Sequence, residues 1–498
     1  MHEYVWKNIY RCAMNTIVVG SGIAGLATAL RLACAGHRVQ VFESNAYPGG
    51  KLSEFSAMGY RFDAGPSLFT MPEYVLELYT LAGQNPERFK YIQLDTSCRY
   101  FYEDGTRFTA YHDVRKFEQE IAEKLDAGDA KKIRPYLQSA AFKYRTTAPL
   151  FVEQSLHRLR NFITSKTLRG ILASPWLSLF SSMHAVNRSF FKHPHLVQYF
   201  NRFATYNGSD PYKAPGLLTM IPHLEHSVGT FFPMGGMHQI TQSIYKLAVE
   251  KGVVFHFNSP VDEITVHNKR VSGIRCGQKV YAADCVVSNA DIHQTYKRLL
   301  PHEKHPHKLL NQEKSSSALI FYWGIKKSFS ELDLHNIFFS SDYESEFRHL
   351  FDYKTVYIDP TVYINITSKY KPDDAPAGCE NWFVMVNVPH NTGQNWDEII
   401  PAVRQSVLDK LSRLLHTPIE PLIETENILE PRIIESRTSS FAGALYGNAS
   451  NNRFAAFLRH KNFSSHIRGL YFCGGSVHPG GGIPLCLSSA KITAELIG

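Results

Sequence analysis

A glycine-rich turn between two apolar segments constrains the fold of this chain more than any other feature. Residues 16–43 read TIVVGSGIAGLATALRLACAGHRVQVFE: a β-branched strand, a G-x-G-x-x-G turn, a helix and a second strand. This order predicts a βαβ unit in a parallel sheet. The alternative is a glycine-rich turn in an ordinary α/β domain. Glu43, which ends the second strand beside Ser44, favours a dinucleotide site, because it can accept ribose hydroxyls and its charge disfavours a 2′-phosphate.

The residue types in the turn suit a pyrophosphate. Gly20 permits a tight turn, Gly22 lets the phosphates approach the backbone, and Gly25 lets the helix pack closely on the strands. Backbone N–H groups at Ile23 and Ala24 begin the helix and have no partners within it. Together with the helix dipole, they predict an anion site.

Length and composition limit which classes of protein this chain can belong to. A chain of 498 residues is too long for one simple core, so two or three subdomains are expected. No run reaches the roughly 18–20 apolar residues that span a bilayer. Eight cysteines without a C-x-x-C spacing argue against a disulfide framework and a zinc site, so we expect a reducing compartment and no metal. Residues 1–14 lack the apolar core of a signal peptide, which favours a cytoplasmic protein.

Two further glycine turns follow the first unit. Residues 45–51 read NAYPGGK, and the backbone of Gly49 and Gly50 with the charge of Lys51 could meet the same pyrophosphate. Ordinary turn chemistry explains Pro-Gly-Gly equally well. Residues 60–67, YRFDAGPS, then bring a glycine-proline turn close to the first motif.

This order of motifs resembles the flavin-binding start of the carotenoid desaturase family, which belongs with the amine-oxidase-like FAD oxidoreductases. The resemblance implies FAD as the cofactor. It also implies that Gly65, Pro66 and Ser67 lie beside the isoalloxazine, and that Lys51 stands where an arginine is common. A lysine keeps the charge of an arginine but loses its bidentate fork.

The last 30 residues contain a second specific block. A buried strand runs into Gly474-Gly475, and the loop SVHPGGGIP leads into an amphipathic helix. This loop resembles that of the hydroxycarotenoid 3,4-desaturase branch of the family. A second helix N-terminus, at Gly482, Ile483 and Pro484, suits the N1/O2 edge of a flavin. One cofactor is therefore expected between the first and last segments.

The middle of the chain returns to the same domain. Residues 229–237 give a strand and a glycine turn, and a strand over 284–291 ends in VVSNAD. The family resemblance implies that the backbone near Val261 touches the adenine end of FAD, and it places Asn289 at the cofactor.

The region between these blocks is basic and aromatic. Its cations between 141 and 203 are Lys143, Arg145, Arg158, Arg160, Lys166, Arg169, Arg188, Lys192 and Arg202, against the single acid Glu153. Such a surface suits contact with an anionic membrane. A helical layer with a solvated basic face is the alternative, and no motif supports nucleic-acid binding.

The fold class expected is α/β: a Rossmann-type FAD-binding domain of the amine oxidase/GDI-like class, an interleaved substrate-binding sheet and a helical membrane-facing subdomain. The FAD-binding domain is expected at residues 14–83, 229–299 and 436–498. The helical, membrane-associated region is expected at 84–228, and the substrate-binding sheet at 300–435.

The resemblance implies desaturation of an acyclic, 1-hydroxylated carotenoid at the 3,4-bond, with hydride transfer to flavin N5 and oxygen or a quinone as electron acceptor. His478, Arg202 and Asp210 are the candidate catalytic residues, although His478 could brace its loop and the other two could form a salt-bridged turn. Phytoene desaturation, carotenoid isomerisation, prenyl-lipid binding without catalysis (as in Rab GDP-dissociation inhibitors) and amine oxidation are the alternatives. The protein is expected to be cytoplasmic and peripherally membrane-associated.

Overall fold

The computed structural model describes residues 13–158, 170, 173–452 and 459–498. The strands are β1 (Asn15–Val19), β2 (Arg38–Phe42), β3 (Ser53–Ala57), β4 (Tyr60–Ala64), β5 (Tyr91–Gln93), β6 (Thr96–Phe101), β7 (Arg107–Tyr111), β8 (Phe231–Pro233), β9 (Val254–His256), β10 (Glu263–His267), β11 (Arg270–Cys276), β12 (Lys279–Ala282), β13 (Cys285–Ser288), β14 (Ser317–Ile325), β15 (His335–Phe338), β16 (Val362–Ile366), β17 (Glu380–Val388), β18 (Ile423–Leu429) and β19 (Leu470–Phe472).

The α-helices of six residues or more, among the described residues, follow the same chain order. They are α1 (Ile23–Cys34), α2 (Glu73–Leu81), α3 (Val114–Lys124), α4 (Ala127–Phe151), α5 (Met183–Phe190), α6 (Pro194–Asn201), α7 (His238–Glu250), α8 (Tyr343–Arg348), α9 (Trp396–Leu414), α10 (Pro431–Thr438) and α11 (Ile483–Ile497).

A five-stranded parallel sheet, in the order β19-β13-β1-β2-β9, gathers the two ends and the middle of the chain. The inner strands β1 and β13 are mainly apolar and β-branched, and they are buried because both faces of the sheet are covered there. α1, α7 and α11 bury their apolar sides in the core on one face. Parallel strands end at one edge, so Gly20, Glu43, Asn289 and Gly474 meet there. The predicted βαβ unit and the return of the last segment are confirmed.

A second sheet of seven strands has the order β18-β14-β17-β16-β15-β6-β7. Its pairs are antiparallel except β15 with β6, which are parallel. The strand β14, second from one edge, is buried along its whole length. The sequence analysis assigned this sheet to residues 300–435, but β6 and β7 join it from the region predicted to be helical.

One expectation differs from the structure. The basic stretch is less exposed than its composition suggested, because the side chains of Lys143 and Arg202 are buried. Three of its cations, Arg160, Lys166 and Arg169, lie outside the described residues.

Candidate functional site

A cavity of about 1160 Å³ begins at the carboxyl edge of the parallel sheet and extends to the face of the second sheet. Nearly all the residues predicted to bind the cofactor line this cavity. They are Gly20, Gly22, Ile23, Ala24, Glu43, Ser44, Gly49, Gly50, Lys51, Gly65, Pro66, Ser67, Val261, Asn289, Gly474, Gly475, Gly482, Ile483 and Pro484. Segments that are far apart in sequence thus form one continuous site.

The glycines of the first turn leave space at the start of α1. A Cβ on Gly22 would lie 2.7 Å from Oδ1 of Asn289, so only glycine fits without moving that side chain. Gly25 lies behind the cavity wall, where a Cβ would come 2.2 Å from the carbonyl oxygen of Gly20. No side chain caps the first turn of α1, which leaves its N–H groups for an anion.

Glu43 is buried at the end of β2 and accepts hydrogen bonds from three neighbouring residues. Its Oε2 accepts from the backbone N–H and the hydroxyl of Ser21, each at 2.8 Å. Its Oε1 accepts from the backbone N–H and side-chain amide of Asn45, each at 2.9 Å, and from the Ser44 hydroxyl at 3.2 Å. The carboxylate is therefore fixed in position, and ribose hydroxyls could replace the side-chain donors.

Lys51 follows the second glycine loop, but its ammonium group has backbone partners. Nζ donates to the carbonyl oxygens of Leu445, at 2.8 Å, and Ala444, at 3.3 Å. Burial lowers the pKa of Lys51, while the Asp291 carboxylate opposes that shift. Lys51 thus joins the first segment to the last segment inside the cavity.

The last segment supplies a second helix N-terminus. α11 begins after Gly482, which has a φ of +104°, and no side chain caps it. Gly474 has a φ of +114°, and a Cβ there would lie 2.7 Å from Nδ2 of Asn289. That amide donates to the carbonyl oxygen of Cys473 at 3.1 Å, so Asn289 holds the ends of β13 and β19 together.

His478 does not line the cavity. Its side chain is 1% exposed, and Nε2 donates to the carbonyl oxygen of Gln154 at 2.9 Å. Burial lowers the pKa of His478 to about 4, so the imidazole is neutral at pH 7. These contacts match the loop-bracing alternative, and a catalytic role for His478 stays a prediction.

We expect His478→Ala to lower stability rather than turnover, because it removes the hydrogen bond to the Gln154 carbonyl, at a cost of about 0.5–1.5 kcal/mol. Thermal unfolding of the flavin-loaded variant measures the first effect and kcat the second. A kcat loss above about 100-fold at unchanged stability would instead identify His478 as catalytic.

Arg202 and Asp210 do not form the salt-bridged turn considered as an alternative. Arg202 pairs with the carboxylate of Glu225 at 3.2 Å and lines the cavity. Asp210 lies outside the cavity wall and accepts from the backbone N–H of Tyr212 at 2.8 Å. Burial raises the pKa of Asp210 to about 6.

The cavity wall also contains a buried polar cluster that no sequence motif predicted. It comprises Arg202, Tyr206, Glu225, His335 and Tyr363. The Tyr206 hydroxyl donates to Glu225 at 2.5 Å, and the Tyr363 hydroxyl lies 2.7 Å from Nδ1 of His335. Four aromatic rings surround the Arg202 guanidinium. No local motif could have revealed the cluster, since its members come from separate elements.

The rest of the cavity wall is mainly apolar and aromatic. α4, the helical stretch 216–224 and the second sheet contribute Tyr144, Phe151, Leu218, Met220, Ile221, Leu224, Ile320, Tyr322, Ile337, Phe383 and Met385. Among the described residues, no cluster of His, Cys, Asp and Glu could hold a metal ion. Within the same part of the chain, no helix is both long and apolar enough to cross a bilayer.

Comparison with known proteins agrees with this architecture. A 1-hydroxycarotenoid 3,4-desaturase from Flavobacterium sp. (strain P99-3) is 52% identical over 97% of this chain and 99% of its own. A 4,4'-diapolycopene oxygenase from Methylomonas sp is 32% identical over 97% and 98%. Among solved structures, cyclohexylamine oxidase from Brevibacterium oxydans IH-35A shares the fold, with a TM-score of 0.62, 15% identity and coverage of 97% and 98%.

The residues at the carboxyl edge fit a flavin dinucleotide: two uncapped helix starts face one cavity, and the glycines that line it leave the space that side chains would fill. The model of the family described as flavin containing amine oxidoreductase matches residues 23–498. The chain therefore belongs to the flavin containing amine oxidoreductase family and is an FAD-dependent oxidoreductase.

Proposed function

We propose that the chain desaturates an acyclic, 1-hydroxylated carotenoid at its 3,4-bond. One observation carries the proposal: a single cavity joins the dinucleotide end to a long apolar wall. A polyene has few polar groups for hydrogen bonding, so a protein must bind it mainly through apolar contacts such as this wall provides. The proposal is supported by the relative named 1-hydroxycarotenoid 3,4-desaturase, which matches nearly the whole chain.

In this reaction two hydrogens leave neighbouring carbons. Bound FAD would accept one of them with its electron pair, and the other leaves as a proton. The protein would hold the FAD through the α1 and α11 termini and Glu43, orient the polyene along the apolar wall and exclude water from it. We propose oxygen or a quinone as the final electron acceptor.

The test is an assay of the FAD-loaded protein with carotenoids embedded in liposomes. We expect a red-shifted, two-hydrogen-lighter product from a 1-hydroxylated acyclic carotenoid, and no conversion of phytoene. Conversion of phytoene alone would make the protein a phytoene desaturase. A product heavier by one oxygen would make it an oxygenase, like the Methylomonas relative.

We also propose that the protein binds a membrane surface peripherally, through α4 and the segment 173–192. Phe142, Trp176 and Phe180 are exposed there, Phe180 by 85%. The exposed cations Arg145, Arg188 and Lys192 belong to the same segments. Exposed apolar side chains and cations in the same segments suit an anionic bilayer. α4 also lines the cavity, through Tyr144 and Phe151.

The double variant Trp176→Ser, Phe180→Ser should bind anionic liposomes at least about tenfold more weakly, because two aromatic side chains no longer enter the bilayer. Co-sedimentation measures this. Ile358→Ser is the control, since Ile358 is 80% exposed and lies outside the two segments. Equal binding by the two variants would contradict membrane contact at this surface.

A further inference from the structure

The polar cluster in the cavity wall has hydrogen-bonding capacity that the protein does not use. Nε2 of His335 and Nε of Arg202 are buried, and neither has a hydrogen-bond partner among the described residues. His335 is 3% exposed and Arg202 is 6% exposed, yet both line the cavity. A buried donor without an acceptor is costly, so these atoms point to a ligand.

The contacts of His335 show which of its ring nitrogens carries the proton. Nδ1 lies 3.2 Å from the side-chain amide nitrogen of Asn365, which can only donate, and 2.7 Å from the Tyr363 hydroxyl. Nδ1 is therefore the acceptor. Burial lowers the pKa of His335 to about 4, so the ring is neutral and its one proton is on Nε2.

Glu225 supplies an acceptor in the same part of the cavity. Its Oε2 accepts from both Arg202 and Tyr206, whereas Oε1 has one long contact among the described residues, 3.3 Å from Arg202. Burial lowers the pKa of His335, and among the charged groups the Glu225 carboxylate opposes that shift most. The cluster therefore combines a spare donor with a spare acceptor inside an apolar wall.

We infer that this cluster is a subsite for a tertiary alcohol at the end of the substrate. The alcohol oxygen accepts from Nε2 of His335, and its hydrogen is donated to Oε1 of Glu225. Arg202 and Tyr206 are positioning residues that hold the carboxylate. A hydroxyl can both donate and accept a hydrogen bond. A hydrocarbon end group can do neither, and would leave Nε2 of His335 and Oε1 of Glu225 without a ligand partner.

The position of the cluster fits the bond to be desaturated. In a 1-hydroxylated end group only C2 separates C1 from C3, so the alcohol must bind beside the reacting bond. The Tyr363 hydroxyl, which contacts His335, also lies 2.8 Å from Oγ of Ser67. Ser67 is predicted to lie beside the isoalloxazine, so this chain of hydrogen bonds connects the two places.

This inference rests on the proposed function, and the test compares two substrates: a 1-hydroxylated acyclic carotenoid and the same polyene with hydrogen at C1. The quantity compared is kcat/KM for the hydroxylated substrate divided by kcat/KM for the other substrate. We expect His335→Phe to lower this ratio by about 10–100-fold, because kcat/KM falls for the hydroxylated substrate and stays the same for the other. Tyr363→Phe should lower it by about 3–10-fold and chiefly through KM, because Tyr363 orients His335. The flavin-to-protein ratio checks folding.

Tyr136→Phe is the matched comparison. Its hydroxyl is also buried, but it donates to Oδ1 of Asn187 at 2.8 Å and does not line the cavity. We expect it to leave the ratio of the two substrates unchanged. Loss of discrimination in Tyr136→Phe but not in His335→Phe would overturn the assignment, as would a wild-type ratio in His335→Phe. If the wild-type protein does not convert the hydroxylated carotenoid, the proposed function itself fails.

A binding measurement on the wild-type protein makes the test independent of variant folding. Fluorescence quenching by the 1-hydroxylated carotenoid and by its 1-methoxy ether gives the two affinities. The ether cannot donate to Glu225, so we expect the alcohol to bind about tenfold more tightly or better. Equal affinities would overturn the subsite.

Discussion

Gly22→Val should yield protein that purifies without FAD. The new Cβ would lie 2.7 Å from Oδ1 of Asn289, an amide already held by its bond to the Cys473 carbonyl. The branched side chain would also occupy the space at the start of α1 where the pyrophosphate is expected. Gly22→Ala should retain part of the flavin, because only Asn289 has to move.

The flavin-to-protein ratio from absorption, with a melting curve of the purified protein, checks this prediction. Ala127→Val is the control, since Ala127 is exposed at the start of α4, where a larger side chain can extend into solvent. A full complement of flavin in Gly22→Val would contradict the placement of the cofactor.

Arg202→Leu should destabilise the protein by about 3–5 kcal/mol, because it leaves the Glu225 carboxylate buried without its counter-ion. Burial favours the neutral acid, but Arg202 lowers the pKa of Glu225 below its ordinary value. The stabilisation is therefore present above the ordinary pKa and is lost as the pH falls through the lowered one. The difference in the free energy of unfolding between wild type and variant should therefore become smaller at acidic pH.

Arg134→Leu is the control for this variant. Arg134 pairs with Glu118 at 2.7 Å on the surface, where an ion pair contributes only about 0–1 kcal/mol. Urea unfolding of both variants at neutral pH gives the comparison. Equal shifts of the unfolding midpoint would show that the buried ion pair contributes no more to stability than the exposed one, which would contradict this prediction.

The dinucleotide end of the site could be predicted because its chemistry is local. Gly20, Gly22 and Glu43 lie within one βαβ unit, whose order of elements fixes where their backbone and side chains point. The glycine loop before α11 is equally compact in sequence. The parallel strands then bring both segments to the same edge of the sheet. This convergence follows from the direction of the strands and does not depend on any single residue.

The polar cluster of the cavity wall could not be predicted because its residues become neighbours only in the folded chain. Glu225 comes from a helical stretch, His335 from β15 and Tyr363 from β16, and none stands in a recognisable motif. Composition was misleading for the same reason. Lys143 counted as part of a basic surface, yet its ammonium is buried and donates to the Thr219 hydroxyl at 2.7 Å.

An anaerobic single turnover tests the central claim most directly. The FAD-loaded protein is mixed with excess 1-hydroxylated carotenoid and no electron acceptor, and the mass of the recovered carotenoid is measured by mass spectrometry. We expect one equivalent of carotenoid per bound FAD to become lighter by two hydrogens. Further conversion should occur only after oxygen or a quinone is added. Repeated conversion without an acceptor and without a change of mass would instead mean isomerisation, and would contradict the desaturase.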